Sequence, residues 1–245
     1  MDSTNNNWES RWRQTLAGLP NDLWLTDLDG TAWQDILVRL NEQFGPVNEV
    51  SGEKKWLEYD RAYKAGTMTN GQHLVAEYQD LLAVKSLDEL IAWVKDEKNV
   101  PLTPGLPDFV GLLAGCGVGI VAVSNGAREI AQPKLDHHQL PFRLMSNWFE
   151  GTELKFVHDE HVGIDKGMLA AKAAEWGYRI RGFSGDAKGD MAGAEVTARL
   201  GGLVLACGHG ALSHWCEKNL ALNQWVEYSD FRQVLRAVQS RLAGF

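Results

Sequence analysis

The stretch that decides the fold is LWLTDLDGTAW, residues 23–33, in which an apolar run leads into two carboxylates, a glycine and a threonine. The apolar run at 23–25 predicts a buried β-strand, and the turn-forming residues directly after it end that strand. Asp27 and Asp29 then lie in the loop beyond the strand. Two interpretations are open at this point: the carboxylates form a reaction centre, or they are only the polar turn that ends a strand.

Composition narrows the class of protein. The chain has 245 residues, of which 44% are hydrophobic and 23% charged, as expected for one globular unit or for a core domain with a smaller insert. Its formal net charge of -8 argues against nucleic acid as a partner, because phosphate backbones are bound by positive surfaces. A cytoplasmic protein without membrane contact is predicted, since the chain has neither an apolar run of about 18 residues nor a secretory signal.

The three cysteines, Cys116, Cys207 and Cys216, have no CxxC spacing. They are expected to be reduced, structural thiols, with Cys116 and Cys207 inside buried strands. Before the first strand, Trp8, Trp12 and Leu16 recur at helical spacing. They predict a short amphipathic helix that packs on the body of the protein or on a partner subunit, so a homodimer is an open alternative to a monomer.

Beyond the first strand the pattern of apolar residues changes twice. Residues 34–100 carry apolar residues at helical periods and predict a helical insert, whereas strands and helices alternate after residue 100. The fold class expected is α/β, with a Rossmann-like, mostly parallel sheet, helices on both faces and a helical cap inserted after the first strand. The core domain would comprise 1–33 and 101–245, and the cap 34–100.

Polar clusters follow three of the predicted strands: TDLDGT, SNG at 124–126 and SGDAKGD at 184–190. Because ligands of open α/β sheets bind beyond the carboxyl ends of the strands, we expect the three clusters to meet at one edge. Converging carboxylates repel one another unless a cation lies among them, and hard oxygen ligands suit Mg²⁺. The sequence therefore predicts a magnesium site there.

A phosphoryl group bound at this edge gives the residues plausible chemical roles. Asp27 is a credible nucleophile once Lys166 and a metal neutralise the phosphoryl charge, and Asp29 can exchange a proton with the leaving group and water. The Ser124 hydroxyl and the backbone N–H groups near Asn125 and Gly126 can hold the phosphoryl oxygens. Two further residues would support the loop: Gly30 by permitting the turn and Thr31 by a hydroxyl hydrogen bond.

In its order of motifs the chain resembles the haloacid dehalogenase (HAD) superfamily. DLDGT, Ser124 after the next core strand, Lys166 at the start of a later helix and GDxxxD behind another strand are similar to its four motifs. The insert resembles a type-1 cap, and the chain as a whole resembles the phosphoserine-phosphatase-like branch. The resemblance implies a phosphatase in which Asp27 is the nucleophile, Asp29 the acid and base, Ser124 a phosphate ligand and Lys166 the bridge between nucleophile and phosphate.

The same resemblance implies the metal ligands. Mg²⁺ would bind a carboxylate oxygen of Asp27, the backbone carbonyl of Asp29 and a carboxylate oxygen of Asp186, with Asp190 in support. Phosphoserine phosphatases usually place a Glu nine residues after the nucleophile to bind the substrate ammonium, and Ile36 is found there. The expected function is therefore Mg²⁺-dependent hydrolysis of a small phosphorylated metabolite that is not assigned to phosphoserine.

Two alternatives of function remain open from the sequence. A phosphotransferase or phosphomutase would use the same aspartyl-phosphate with a different acceptor. An inactive binding module is expected to lack part of the Asp27, Asp29, Lys166 and Asp186 set, and all four are present.

Several further residues carry weaker hypotheses. A transition-metal site in HDEH, residues 158–161, is possible by residue type, but its polar surroundings favour a loop. Lys188 is interpreted as a loop residue within reach of the phosphate, and His209 as a loop residue near the mouth of the site. In the cap, Arg61 is a candidate for a substrate anion and Asp35 for a substrate cation.

Overall fold

A computed structural model describes residues 8–159 and 161–243, and within these ranges seven strands form a single sheet. In chain order the strands are β1 (Asp22–Thr26), β2 (Val118–Ala127), β3 (Arg143–Glu150), β4 (Glu153–Lys155), β5 (Arg179–Gly185), β6 (Leu203–Cys207) and β7 (Trp225–Tyr228). Their order across the sheet is β4-β3-β2-β1-β5-β6-β7. All neighbouring pairs are parallel except β3 and β4, which form an antiparallel hairpin. The predicted mostly parallel α/β sheet is confirmed.

The α-helices of the described residues surround this sheet. In chain order they are α1 (Trp8–Leu16), α2 (Ile36–Phe44), α3 (Lys55–Lys64), α4 (Asn70–Val84), α5 (Leu87–Lys95), α6 (Leu106–Gly115), α7 (Arg128–His137), α8 (Lys166–Glu175), α9 (Met191–Arg199), α10 (Ala211–Asn219) and α11 (Leu235–Ala243). Among these helices, none has the length and apolar character needed to cross a bilayer.

The order of the strands places the site. The chain leaves β1 to build β2 and β3 on one side of it, and later returns to place β5 and β6 on the other side. At such a reversal the loops after neighbouring strands diverge to opposite faces and leave a crevice at the carboxyl end of the central strand. Asp27 follows β1 directly, so it lies at this crevice.

Two apolar cores cover the two faces of the sheet. One packs Trp12 of α1 and Leu169 of α8 against strand residues such as Leu25. The other packs the side chains of α6, α7 and α11 against the opposite face, and it also contains Leu74 and Leu90 from the inserted helices. The inserted helices therefore share one apolar core with the sheet. Helix α1 packs on the body of the protein, where the Trp12 indole N–H donates to the Leu169 carbonyl at 3.0 Å.

A buried lysine fastens the end of the insert to the core. The Lys134 side chain of α7 is inaccessible to solvent, and its Nζ donates to the carbonyls of Val94 at 2.9 Å and Val100 at 2.8 Å. Burial lowers the pKa of Lys134 to about 8. Since a buried ammonium is tolerated only when it is well hydrogen-bonded, this contact fixes where the chain returns from α5 to the core.

The structure differs from the sequence prediction in several elements. Strand β2 continues through Ser124 to Ala127, with an irregular register against β3 at that point. The hairpin strand β4 and helix α10 were not predicted. The expectation that Cys116 lies in a buried strand is wrong, because it is exposed directly after α6, where that helix ends.

Candidate active site

Lys166 joins two of the predicted site residues at the bottom of the crevice. It is the first residue of α8, and its side chain is only 3% exposed. Its Nζ lies 2.5 Å from Asp27 Oδ1 and 2.6 Å from Asp190 Oδ1. Burial alone would lower the pKa of Lys166, but the two carboxylates outweigh it and raise the pKa above its ordinary value. Lys166 is therefore a permanent ammonium between two acidic side chains.

Asp27 is held by its backbone as well as by its side chain. Its N–H donates to the Ser184 carbonyl of β5 at 2.8 Å, which extends the pairing of β1 and β5 by one residue. Burial raises the pKa of Asp27 well above its usual range, and Lys166 opposes that rise. One carboxylate oxygen is thus bonded to Lys166, and the other is available to attack a bound group.

Asp29 has the surroundings of a proton carrier. Its Oδ1 accepts hydrogen bonds from the Trp33 indole N–H at 2.9 Å and from the Ile36 backbone N–H at 3.0 Å. Burial and then the charge of Asp35 raise the pKa of Asp29 to about 7, against the smaller effect of these two bonds. A carboxyl group that titrates near neutrality is suited to general acid and base catalysis. With Oδ1 already accepting two bonds, Oδ2 is the oxygen left to carry the proton.

The SGDAKGD cluster, residues 184–190, packs closely against the TDLDGT cluster, residues 26–31. Thr31 Oγ1 donates to Asp186 Oδ1 at 3.3 Å, so the loop after β1 touches the loop after β5. Gly30 has a φ of +77°, and a Cβ at this position would collide with the Asp186 carboxylate. The supporting roles predicted for Gly30 and Thr31 therefore have a physical basis in the approach of these two loops.

Three carboxylates of the site lie close enough together to bind one divalent cation, but they are not equally free to do so. Oxygens of Asp27, Asp186 and Asp190 lie within 4.8 Å of one another. Asp190 uses Oδ1 for Lys166 and Oδ2 for the N–H groups of Asp186 and Ala187, both at 3.0 Å. Burial and the charge of Asp190 raise the pKa of Asp186 to about 7, as expected where carboxylates lie close together. Asp27 and Asp186 are thus the better metal ligands, with Asp190 in support.

Hydrogen bonds within the Ser124–Gly126 segment and from neighbouring parts of the chain hold this segment in place. The Gly126 N–H donates to Ser124 Oγ at 3.0 Å, which leaves the Ser124 hydroxyl hydrogen free for another acceptor. The Asn125 carbonyl accepts from Asn147 Nδ2 at 2.7 Å, and Asn125 Oδ1 accepts from the Ile164 N–H at 2.9 Å. These bonds hold the segment in place, but the Gly126 N–H and Asn125 Oδ1 already have partners.

One cavity of about 280 Å³ opens above these residues. The structure brings Asp27, Asp29, Ser124, Lys166 and Asp186 together on its lower wall. The upper wall comes from the inserted helices. Its lining residues are Asp35, Leu37, Val38, Trp56, Asp60, Tyr63, Asn70, His73, Leu74 and Glu77.

Helical spacing explains which residues of the insert reach the cavity. Trp56, Asp60 and Tyr63 of α3 lie at i, i+4 and i+7, and Asn70, His73 and Glu77 of α4 lie at i, i+3 and i+7. Each set is therefore one face of its helix. Sequence reasoning did not select these residues, although polar residues at helical spacing, such as Asn70, His73 and Glu77, were the signal that could have found them.

The structure gives the positions of four residues that carried weaker hypotheses. Arg61 does not line the cavity but pairs with Glu53 at 2.7 Å on the surface, because one residue beyond Asp60 turns a side chain by about 100°. Asp35 does line it, and its Oδ1 also caps α2 by accepting from the Val38 N–H at 2.9 Å. Lys188 and His209 are exposed.

The HDEH segment lies partly outside the described residues, since residue 160 is not among them. Asp159 Oδ1 accepts from the N–H groups of His161 and Val162, both at 2.8 Å, and His158 Nδ1 accepts from the Asp165 N–H at 3.1 Å. These are bonds that hold a loop together ahead of α8. In the part of the chain that is described, the acidic group below the cavity is the one cluster with metal-ligand spacing.

Solved structures provide the decisive comparison. A HAD family hydrolase from Salmonella enterica subsp. enterica serovar Typhi superposes with a TM-score of 0.67 at 16% identity, over 97% of this chain and 82% of that one. The chain has the HAD fold. A phosphoserine phosphatase, solved as a phospho-aspartyl intermediate analogue, has this fold with a TM-score of 0.59 at 18% identity, over 88% of this chain and 97% of that one.

The HAD fold is shared with a third, functionally different protein. A cytosolic 5′-nucleotidase IIIB bound to cytidine superposes with a TM-score of 0.56 at 11% identity, over 96% of this chain and 90% of that one. No protein-family model and no curated protein sequence matches this chain. The resemblance predicted from the four motifs is therefore confirmed for the HAD fold, and the confirmation rests on similarity of structure.

Proposed function

We propose that the protein is a phosphatase that hydrolyses the phosphate monoester of a small metabolite through an aspartyl-phosphate on Asp27, with Mg²⁺ as cofactor. The observation that carries this proposal is the position of Lys166, bonded to both Asp27 and Asp190 below a cavity that Ser124 and Asp29 also line. This arrangement supports the proposal, because the reaction needs a nucleophile, a proton carrier and positive charge within one small space.

In the first step an Asp27 carboxylate oxygen attacks the phosphorus atom. The bond from phosphorus to the leaving oxygen breaks, and Asp29 gives its proton to that oxygen so that a neutral alcohol departs. The Lys166 ammonium holds the other oxygen of Asp27 and stabilises negative charge on the phosphoryl group. The Ser124 hydroxyl donates its free hydrogen to a phosphoryl oxygen.

In the second step a water molecule replaces the alcohol. Asp29, now ionised, takes a proton from the water as its oxygen attacks phosphorus, and the bond between phosphorus and Asp27 breaks. Inorganic phosphate leaves, and both carboxyl groups return to their starting states. With a pKa of about 7, Asp29 can donate a proton in the first step and accept one in the second step near neutral pH.

Mg²⁺ would be held by carboxylate oxygens of Asp27 and Asp186 and by the Asp29 carbonyl, with Asp190 in support. When bound, it would neutralise the charge of the phosphoryl group and orient that group.

Residues 34–100 are proposed to act as the cap. Their contribution is to cover the cavity with α3 and α4, exclude water and contact the leaving group.

The Asp27→Asn variant tests the mechanism. With para-nitrophenyl phosphate and Mg²⁺, its kcat is expected to fall at least about 10⁴-fold, because the amide is a poor nucleophile. The exposed Asp108→Asn variant serves as a control with the same chemical change. Rapid acid quenching of the wild type during turnover of ³²P-labelled substrate is expected to trap hydroxylamine-sensitive label on Asp27. Near wild-type turnover by Asp27→Asn, or activity unaffected by EDTA, would contradict the proposal.

A further inference from the structure

The walls of the cavity differ in how their charge is balanced. Seven carboxylates line it: Asp27, Asp29, Asp35, Asp60, Glu77, Asp186 and Asp190. Among the described residues that line it, Lys166 is the only lysine and arginine is absent, so His73 is the one other basic side chain. Lys166 and a metal account for the lower wall. Of the upper-wall carboxylates Asp35, Asp60 and Glu77, Glu77 has only His73 as a basic partner in the lining, and Asp60 pairs, among the described residues, only with Lys64, which does not line the cavity.

Glu77 is the most deeply buried of these three. Its side chain is 4% exposed, and its Oε1 lies 3.1 Å from His73 Nε2. Burial raises the pKa of Glu77, and the same cause, with a contribution from the charge of Glu77, raises that of Asp35. Burying carboxylates in this way is costly unless a cation accompanies them. A positively charged ligand would supply what the lining lacks.

Within the described part of the chain, the negative charge of Asp60 has a basic partner only on the side that faces away from the cavity. Its Oδ2 accepts from Lys64 Nζ at 2.7 Å, and the Lys64 side chain is 72% exposed. Ion pairs with so exposed a partner are screened by water and contribute little. The negative charge of Asp60 therefore still acts on the cavity that it lines.

Aromatic and apolar side chains complete the upper wall. Trp56 and Tyr63 line the cavity beside Leu37 and Leu74. The Trp56 indole nitrogen is buried with no hydrogen-bond partner among the described residues, and Tyr63 stacks on His73 with ring centroids 5.3 Å apart. Aromatic rings next to carboxylates bind ammonium groups, including alkylated ones, through cation–π and Coulomb attraction.

The lining also excludes one class of leaving group. A carboxylate on the substrate would meet Asp35, Asp60 and Glu77 without an arginine or a second lysine to receive it. Given the proposed phosphatase function, we propose that the substrate is a phosphate monoester of a small cationic alcohol that carries no carboxylate. The ammonium group of this alcohol binds between Asp60, Glu77 and Trp56.

A pair of isosteric substrates tests this directly in the wild-type enzyme. Choline phosphate and 3,3-dimethylbutyl phosphate differ only in a positively charged nitrogen that replaces a neutral carbon. We expect kcat/KM with Mg²⁺ to be at least about tenfold higher for choline phosphate. Aminoethyl phosphate compares a primary with a quaternary ammonium, and phosphoserine measures the penalty for adding a carboxylate, also expected to be at least about tenfold.

Variants locate the effect on the upper wall. Glu77→Gln and Asp60→Asn keep the shape of each side chain and remove its charge, so each is expected to lower the choline phosphate to 3,3-dimethylbutyl phosphate ratio by about threefold or more. The exposed Asp88→Asn on α5, which does not line the cavity, should leave that ratio unchanged. The wild-type comparison stands even if a Glu77 variant does not fold.

The outcomes separate this inference from the proposed function. Equal or faster hydrolysis of 3,3-dimethylbutyl phosphate, or a preference for phosphoserine, overturns the cationic substrate while turnover of para-nitrophenyl phosphate still supports a phosphatase. Failure to hydrolyse any of these esters with Mg²⁺ overturns the proposed function and the inference together.

Discussion

The lower and upper walls of the cavity are both rich in carboxylates, but they are built differently. On the lower wall Asp27, Asp29 and Asp190 each have hydrogen bonds from named partners, and Lys166 joins two of them. On the upper wall Asp60 and Glu77 come from one face each of α3 and α4, where the lining supplies His73 as the sole base among described residues. On the lower wall Lys166, together with the proposed metal, balances the carboxylates, whereas on the upper wall the positive charge is left for the substrate to supply.

This difference separates chemistry from recognition. Substitutions on the lower wall remove groups that act on the phosphoryl transfer, so they should slow every substrate. Substitutions on the upper wall change contacts with the leaving group, so their effect should depend on which alcohol is attached. Each prediction below tests whether a residue belongs to the wall to which the structure assigns it.

The largest effect on the protein as a whole is expected from Lys166→Met. Removing the ammonium leaves Asp27 and Asp190 buried without a counter-charge, which costs about 3–5 kcal/mol of unfolding free energy, and hydrolysis of all substrates should be lost. Urea denaturation at neutral pH with EDTA measures the stability. The loss should shrink as the pH falls, because protonation of the carboxyl groups removes the unpaired charges.

Lys172→Met on the same helix is the matched control for that experiment. Lys172 pairs with Glu175 at 2.8 Å, and the Glu175 side chain is 62% exposed, so little stability should be lost. If the two variants lost equal stability, Lys166 would not be the group that balances the lower wall.

Asp29→Asn is expected to give the next largest effect, and one that depends on the leaving group. Loss of the proton donor should slow alkyl phosphates about 10²–10⁴-fold, whereas para-nitrophenyl phosphate, whose leaving group needs no proton, should lose less in its first step. In the wild type, alkyl phosphate turnover should decline as the pH rises through about 7, since Asp29 then loses its proton. An identical loss for both kinds of ester would contradict the role of Asp29 as the acid.

Part of the lower wall could be predicted from the sequence, because several of its residues stand at the end of an apolar run. Asp27, Ser124 and Asp186 each stand at the end of an apolar run, and in a parallel sheet those ends meet at one edge. Once the strands are assigned, their adjacency follows from topology. The partners that brace them, such as Asn147 below Asn125, lie far apart in sequence and have no local pattern that marks them.

The upper wall could not be predicted in the same way. A helix turns each successive side chain by about 100°, so which face of α3 meets the cavity depends on how the helix packs. Trp56 and Tyr63 face the cavity, whereas Arg61, the residue expected to bind a substrate anion, pairs with Glu53 on the surface. Residue type suggested an anion site, and the tertiary contacts of α3 placed a different set of side chains there.

The smallest effect is expected at the contact between the two walls. The Tyr78 hydroxyl of α4 accepts a hydrogen bond from the Ala127 N–H at 3.0 Å, directly beyond the Ser124–Gly126 segment, and Tyr78 is 3% exposed. Tyr78→Phe leaves this buried N–H without its acceptor and should cost about 1–3 kcal/mol of unfolding free energy. Tyr59→Phe, which removes a partly exposed bond to Asp80, should cost less. Because Ala127 belongs to the lower wall's strand, Tyr78→Phe should lower kcat by a similar factor for cationic and neutral esters. A selective loss for cationic esters would instead place Tyr78 with the residues that recognise the leaving group.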